Sequence, residues 1–304
     1  MTTDALVGLD PAALRGAIGR RPLQLRHGLS GHPSLSREAL AAVAEVHPGN
    51  LVEHHRADLP LVLPTGEAER LPLSARAVIE GIEENHCWMV LWHIDTATPY
   101  DALVERWVEP IRAAIPTSEG TLGPSESLAL IASPGAVVPA HVDHNHNVLL
   151  QLEGTKELFI GEFSDASEGQ RQVERRYGPA VLNLDRLPER VTRFVLGPGD
   201  ALYIPPYAFH WVIGGTDVSV ALSCSVTTAA ANRTQEVHAW NSRLRRLGLR
   251  PRPPGEGLHR DRAKVRALHA WIRFRMLSSG ARRKLSAGVA RVRSLRRARH
   301  QATR

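Results

Sequence analysis

Cysteine and long apolar runs are both scarce in this chain of 304 residues. Its two cysteines, Cys87 and Cys224, are too few for a disulfide framework or a cysteine-rich zinc module. No stretch approaches the roughly 18 apolar residues of a membrane helix, and the N-terminus lacks the basic and apolar regions of a secretion signal. The chain is 43% hydrophobic and 23% charged, which is typical of globular proteins. We therefore expect a globular, cytoplasmic protein without a membrane segment.

Positive charge is concentrated at one end of the chain. From residue 243 onward there are 20 Lys and Arg and two acidic residues, whereas the first 242 residues hold 18 basic and 29 acidic side chains. Such asymmetry favours contact with nucleic acid, a ribosome or another acidic surface. Packing of the basic tail on its own acidic body, or on that of a second copy, would also explain the pattern.

The first 120 residues predict a mixture of helices and strands. Residues 36–46 carry Ser36 as a helix N-cap and Glu38 in the first turn. Residues 87–94 are an apolar run of strand length. Residues 100–114 place apolar side chains on one helical face. We expect this region to pack on whatever follows it.

Residues 128–226 have a different texture, with about eight short apolar runs separated by Gly, Pro and Asp. This spacing predicts a β-barrel or sandwich and not βαβ units. After residue 227 a helical pattern returns, interrupted at residues 251–255. Beyond the interruption an apolar stripe runs along a very basic helix, at Val265, Leu268, Ile272 and Met276.

The most informative residues are His141, Asp143 and His210. In a strand, residues i and i+2 face the same side, so His141 and Asp143 can meet one metal ion. A histidine from a later strand completes two imidazoles and one carboxylate, which leave three positions open, as in non-haem Fe(II) oxygenases. A redox-inactive zinc or nickel site, or a structural salt bridge, are the alternatives.

Lys156 and Asn147 extend this site. We interpret residues 153–156 as a tight hairpin in which Glu153 pairs with Lys156, so that Lys156 returns to the side of Asn147 and the His141–Asp143 pair. A cation and an amide beside a metal with open positions suit a dicarboxylate that chelates at one end and has its far carboxylate held.

Small residues are expected on the face of the sheet that carries His210. With residues 214–217 as a loop, His210 would pair with Ala221, and Ser219, Ala221 and Ser223 would share its face. This face would leave volume for a ligand. Of the remaining candidates, His144 and His146 have the opposite parity and are predicted at the mouth or surface.

The stretches HVDHNHNVLLQLEGTKELFIGEF and GPGDALYIPPYAFHWVIGGTDVSVALS resemble the cupin-like, Jumonji-C type of Fe(II)/2-oxoglutarate oxygenase. The asparaginyl hydroxylase of hypoxia signalling and bacterial cupin-like proteins are nearest in pattern. The resemblance covers about residues 128–226. It implies a mainly β fold with flanking helices: a mixed N-terminal region (residues 1–120), a double-stranded β-helix (jelly-roll or cupin) barrel (residues 121–228) and a basic helical extension (residues 229–304).

The resemblance also implies roles for individual residues. It implies that iron binds to His141, Asp143 and His210. It implies that the distal carboxylate of 2-oxoglutarate binds Lys156, with Asn147 and Ser223 also at cosubstrate-contacting positions. The chain departs from the family at Val138, where Thr is common, and at Ser223, where the asparaginyl hydroxylase has Asn.

Together these features predict an Fe(II)- and 2-oxoglutarate-dependent dioxygenase, a hydroxylase of a protein side chain or a small molecule. One alternative is a metal-binding cupin that senses a ligand without turnover. Another is a nucleic-acid- or ribosome-associated protein with a degenerate barrel. The C-terminal helices are expected to mediate either homodimerisation or a contact with nucleic acid or ribosome.

Overall fold

Strands dominate the computed structural model, which describes residues 6–7, 9–63, 69–96, 99–178 and 183–277. The chain divides into two compact units, residues 1–235 and 236–304. The finer division into N-terminal region, barrel and extension stays a prediction. No helix within the described ranges is both long enough and apolar enough to cross a membrane.

The strands of the first unit are β1 (Leu6–Val7), β2 (Leu23–His27), β3 (Val52–Arg56), β4 (Cys87–Trp92), β5 (Leu122–Ala132), β6 (Val137–Val142), β7 (His146–Glu153), β8 (Lys156–Glu162), β9 (Arg190–Leu196), β10 (Asp200–Ile204), β11 (Phe209–Gly214) and β12 (Ser219–Thr228). The helices are α1 (Pro11–Ala17), α2 (Arg37–Val46), α3 (Ala75–Glu80), α4 (Tyr100–Ala114), α5 (Ala166–Arg175) and α6 (Ala229–Arg246), the last of which runs into the second unit.

The predicted elements of the N-terminal region are confirmed. Ser36 caps α2 by accepting a hydrogen bond from the Ala39 amide at 3.2 Å. The helix predicted over residues 100–114 has those bounds, and the strand predicted over residues 87–94 ends at Trp92. These segments fold as expected because their apolar periodicity matches the face they bury.

Two antiparallel sheets face each other and form the barrel. The larger has the order β1-β2-β10-β7-β12-β5-β4-β3, and the smaller β6-β11-β8-β9. From β5 to β8, each strand crosses to the sheet opposite its predecessor, which is the winding of a double-stranded β-helix. The predicted fold, mainly β with flanking helices, is confirmed.

Both predicted hairpin pairings are wrong. Strands β7 and β8 lie in different sheets, so Glu153 does not pair with Lys156. Gly154, at φ +66, turns the chain across the barrel, and a Cβ there would lie 2.1 Å from the Val218 carbonyl oxygen. Strands β11 and β12 are also in different sheets, and His210 pairs with His141 and Ile160 instead of Ala221. The sequence of a short turn does not show whether the next strand pairs with the preceding one or crosses to the opposite sheet.

Three clusters of buried apolar residues fill the interior of the barrel and cover its two outer faces. The interior holds buried side chains from both sheets, among them Leu149, Leu158 and Ala221. The outer face of the large sheet packs against α1, α2 and α4 through the largest cluster. The outer face of the small sheet packs under a third cluster, which contains Phe209 and Trp211.

The second unit is helical and basic. A helix covers residues 258–277, after a non-helical segment that contains the predicted interruption at 251–255. The guanidinium groups of Arg243 and Arg275 lie 4.0 and 5.0 Å from the centre of the Trp271 ring. Of the predicted stripe, Leu268 is buried, whereas Ile272 and Met276 are exposed. The rest of the basic tail lies outside the described residues.

Candidate metal centre

The structure brings His141, Asp143 and His210 together at one end of the barrel interior. His141 and His210 are directly opposite each other on β6 and β11, with ring centres 4.1 Å apart. Asp143 follows β6, and its Oδ2 lies 3.7 Å from His141 Nε2 and 3.8 Å from His210 Nε2. The ligand atoms of all three residues lie within 4.8 Å of one another.

Each imidazole is oriented by a backbone carbonyl two residues earlier. His141 Nδ1 lies 2.8 Å from the Pro139 oxygen, and His210 Nδ1 lies 2.9 Å from the Ala208 oxygen. Since a carbonyl only accepts, Nδ1 carries the proton and Nε2 presents its lone pair to the site, as in metal-binding histidines. Burial, and then the neighbouring His141, lower the pKa of His210 to about 4. His210 is therefore neutral at neutral pH.

Asp143 is held in its charged form. Burial alone would raise its pKa, but His141, His210 and Arg176 outweigh burial, so that the pKa lies below its ordinary value. Its backbone carbonyl accepts a hydrogen bond of 2.7 Å from the amide of Tyr207. The carboxylate is therefore available as a ligand, and its backbone is fixed.

Lys156 is buried at the start of β8, only 6% exposed. It has the parity of Leu158 and Ile160, which pack inside the barrel, so its side chain also faces the interior. Among the described residues, no hydrogen-bond or ion-pair partner is found for its ammonium. Burial lowers the pKa of Lys156 to about 8. A buried cation without a partner is costly, and an anionic group would compensate it.

Asn147 and Ser223 are hydrogen-bonded to each other from neighbouring strands of the large sheet. The Ser223 hydroxyl donates to Asn147 Oδ1 at 2.8 Å, and Ser223 is buried. Ser223 and Ala221 have the same parity on β12, and Ala221 packs inside the barrel, as predicted for this face. This bond orients the Asn147 amide at the inner wall.

The surface position predicted for His146 is wrong. It is fully buried, with Nδ1 at 2.8 Å from the Tyr203 hydroxyl and Nε2 at 3.0 Å from Glu119 Oε2. Its side chain does point away from the barrel interior, but the N-terminal region covers that outer face. Strand parity shows which side a residue faces, and not what covers that side.

The sequence did not identify two residues that contact the triad. Arg176, at the end of α5, lies 3.5 Å from Asp143 Oδ1. Tyr207 has a left-handed backbone, φ +63, just before β11. Nothing in the sequence marks Arg176, because α5 is inserted between β8 and β9 and only the folded barrel brings it to the site. Tyr207 contacts the triad through its backbone amide, and its side-chain type gives no sign of this contact.

Two imidazoles whose Nε2 atoms are directed at the site and one charged carboxylate fit a first-row divalent metal with open positions. The unpartnered Lys156 ammonium fits the far carboxylate of a chelating dicarboxylate. The residues present therefore suit iron and 2-oxoglutarate together, and their chemistry also accommodates zinc or nickel.

Comparison with known sequences finds a match in the part of the chain that contains these residues. The model of the JmjC domain family matches residues 124–235. A Drosophila melanogaster protein, "Jumonji C domain-containing protein 5", is 28% identical over 106 residues, which are 32% of this chain and 26% of that protein. The chain thus spans about a quarter of the length of this relative.

Comparison with solved structures agrees on the fold. The X-ray structure of E. coli YcfD matches with a TM-score of 0.53 at 18% identity, covering 88% of this chain and 68% of YcfD. A structure of YcfD described as a ribosomal oxygenase in complex with cobalt and 2-oxoglutarate matches with a TM-score of 0.51, also at 18% identity, covering 87% of this chain and 67% of that one. Residues 124–235 thus match the JmjC domain model, and the fold of the chain is similar to that of YcfD.

Proposed function

We propose that this protein is an Fe(II)- and 2-oxoglutarate-dependent oxygenase, and specifically a hydroxylase. The observation that carries the proposal is the convergence of His141 Nε2 and His210 Nε2 on Asp143 Oδ2. Two imidazoles and one carboxylate are the ligand set of non-haem Fe(II) oxygenases. The match to JmjC domains and the cobalt and 2-oxoglutarate complex of the E. coli protein support the same assignment.

In this mechanism the three ligand residues hold iron, which supplies the redox chemistry by which O2 and 2-oxoglutarate oxidise a substrate C–H bond. The carbonyls of Pro139 and Ala208 keep both Nε2 lone pairs directed at the site. Because these contacts are made by backbone atoms, the fold itself sets the orientation of both rings.

Lys156 binds the far carboxylate of 2-oxoglutarate in this proposal. Its ammonium enters a charge-assisted pair inside the barrel, where low polarity strengthens the attraction. The amide of Asn147, oriented by Ser223, contributes a hydrogen bond from the facing sheet. The apolar interior, including Leu149 and Leu158, keeps water away from the bound cosubstrate.

The substrate is proposed to be a protein side chain or a small molecule, in the cytoplasm. The E. coli protein is described as a ribosomal oxygenase, and the basic tail of this chain is suited to a ribosome or nucleic-acid contact. Such binding would weaken steeply between 50 and 200 mM salt, because it releases counterions. A second copy bound through the C-terminal helices is the alternative, and sedimentation at the same salt concentrations separates the two.

Turnover of 2-oxoglutarate tests the proposal. Anaerobically iron-loaded protein, then exposed to O2, should release succinate from 2-oxoglutarate, and D143A should release none. D217A removes an exposed carboxylate far along the chain and is the matched control. Thermal stabilisation by 2-oxoglutarate without any succinate would instead favour a metal-binding ligand sensor.

A further inference from the structure

The two carboxylate oxygens of Asp143 face different partners. Oδ2 faces the two imidazoles, at 3.7 Å from His141 Nε2 and 3.8 Å from His210 Nε2. Oδ1 points the other way, to the guanidinium of Arg176 at 3.5 Å. One oxygen is therefore directed at the two imidazoles, and the other forms an ion pair with Arg176.

Arg176 differs in this from the arginines beside it. Arg171 and Arg175, on the same helix, pair with Asp185 at 3.0 and 2.8 Å, outside the metal centre. Among the described residues, Asp143 is the carboxylate that Arg176 pairs with. The helix thus carries two arginines that anchor it and a third that reaches the metal centre.

The position of Arg176 is reinforced by a second connection between the same segments. The Tyr207 amide donates to the Asp143 carbonyl at 2.7 Å. The phenol groups of Tyr207 and Tyr177, the residue after Arg176, are hydrogen-bonded to each other. Asp143 is therefore linked to the end of α5 through its side chain and through its backbone. The left-handed backbone of Tyr207 is a strained conformation of the kind found at functional sites.

We propose that Arg176 is a positioning residue that reserves Oδ1 of Asp143, so that this carboxylate offers the metal one oxygen and not two. This inference rests on the proposed metal site and deepens it. A six-coordinate ion bound by two imidazoles and one oxygen keeps three positions open. A second carboxylate oxygen would occupy one of the three, and fewer positions would remain for cosubstrate and O2.

Counting the water molecules on a bound Mn(II) ion tests the proposal without catalysis. Water-proton relaxivity, measured per bound ion in the absence of 2-oxoglutarate, reports how many positions exchange with solvent. In R176Q the freed oxygen should displace one of three waters, so relaxivity should fall by about a third. R176K, which restores a cation, should lie closer to the unmodified protein.

R175Q is the matched control, since it removes the same charge from the adjacent residue, which pairs with Asp185. It should leave the relaxivity unchanged. Equal relaxivity in R176Q and the unmodified protein would overturn the proposal, and so would loss of Mn(II) binding in R176Q, since Arg176 would then serve affinity. If R176Q does not fold, R176M gives the same comparison. The succinate assay on the unmodified protein decides the proposed function separately.

Discussion

The two sheets of the barrel differ in what they contribute to its interior. The small sheet contributes ionisable groups: His141, His210 and Lys156. The large sheet contributes mainly uncharged polar groups, such as Asn147 and Ser223, together with the half-buried carboxyl of Glu126 on β5, and its outer face is buried under the N-terminal helices. The small sheet thus provides the two proposed histidine ligands and the buried cation, and the large sheet provides space and a rigid support. Substitutions in the small sheet should therefore change function, and those in the large sheet mainly stability.

The largest expected effect lies in the small sheet. H210A removes a proposed ligand whose neutral Nε2 faces the site, so succinate formation should fall below detection and metal affinity should decrease sharply. Calorimetric titration with Co(II) and the succinate assay measure the two effects. H146A, which removes a buried histidine on the other side of the sheet, is the control and should retain Co(II) binding in its folded fraction. Undiminished Co(II) affinity in H210A would contradict the comparison.

K156M should separate function from stability. Loss of the ammonium should weaken 2-oxoglutarate binding by about a hundredfold, the usual effect of removing one member of a buried charge pair. The same change should stabilise the ligand-free protein by up to about 3 kcal/mol at pH 7. Burial lowers the pKa of Lys156 from 10.5 to about 8, so keeping this group charged at pH 7 destabilises the folded state, and methionine removes that cost.

Titration calorimetry and denaturant unfolding measure these two opposite changes. K264M, which removes a lysine of the second unit whose ammonium binds the Arg252 carbonyl, should leave 2-oxoglutarate binding unchanged. If K156M binds 2-oxoglutarate as well as the unmodified protein does, Lys156 is not its carboxylate partner.

The large sheet should respond in the opposite way. Leu150 is fully buried under the N-terminal helices, so L150A should lower the free energy of unfolding by about 3 kcal/mol. The turnover of the folded fraction should be unchanged, because the side chain points away from the interior. A loss of turnover per folded molecule would show that the support and the chemistry are coupled.

The stability of the ligand-free protein should depend on pH through Lys156. Between pH 8 and 10.5 the unfolded chain keeps this proton and the folded protein releases it, so the free energy of unfolding rises with pH in that window. Below pH 8 both states are protonated and the cost of burying the charge is fully present. Unfolding curves at pH 7.5 and 9.5, compared with those of K156M, isolate this contribution. An equal slope in both proteins would exclude it.

The smallest expected effect concerns the hydrogen bond from Ser223 to Asn147. S223A should weaken 2-oxoglutarate binding by about fivefold, because a neutral hydrogen bond contributes about 1 kcal/mol. S219A, on the same strand and face, removes a hydroxyl that accepts from Gln151 and should leave cosubstrate affinity unchanged. If S223A and S219A weaken 2-oxoglutarate binding equally, the small side chains of the large sheet act only through the space that they leave, and not through this hydrogen bond.

The sequence predicted the barrel and the inward residues better than the strand pairings. Alternation placed Ala221 and Ser223 on one face because side-chain direction depends only on local backbone geometry. The partner of each strand depends on whether a two-residue turn such as Gly154–Thr155 returns within a sheet or crosses between sheets. Contacts with the facing sheet decide between these two arrangements, and the local spacing of residues carries no information about those contacts.

In the candidate site, too, local features were predicted from the sequence and contacts between distant segments were not. His141 and Asp143 were predicted because they are two residues apart in a strand, and His210 because a histidine on a later strand completes the ligand set; the family resemblance implies the same three residues. Arg176 was missed because α5 has no pattern that relates it to Asp143, and the burial of His146 because the covering region is remote in the chain. Contacts between distant segments require the folded structure.

The pairing of β6 with β11 assembles the candidate site from segments that are far apart in the chain. His141 and His210 are neighbours because β11 lies between β6 on one side and β8 on the other. A chain in which β11 is missing or unfolded keeps two of the three donors, His141 and Asp143, so we expect it to bind a redox-active ion more weakly. We therefore expect the metal to bind chiefly to molecules in which β11 has joined β6.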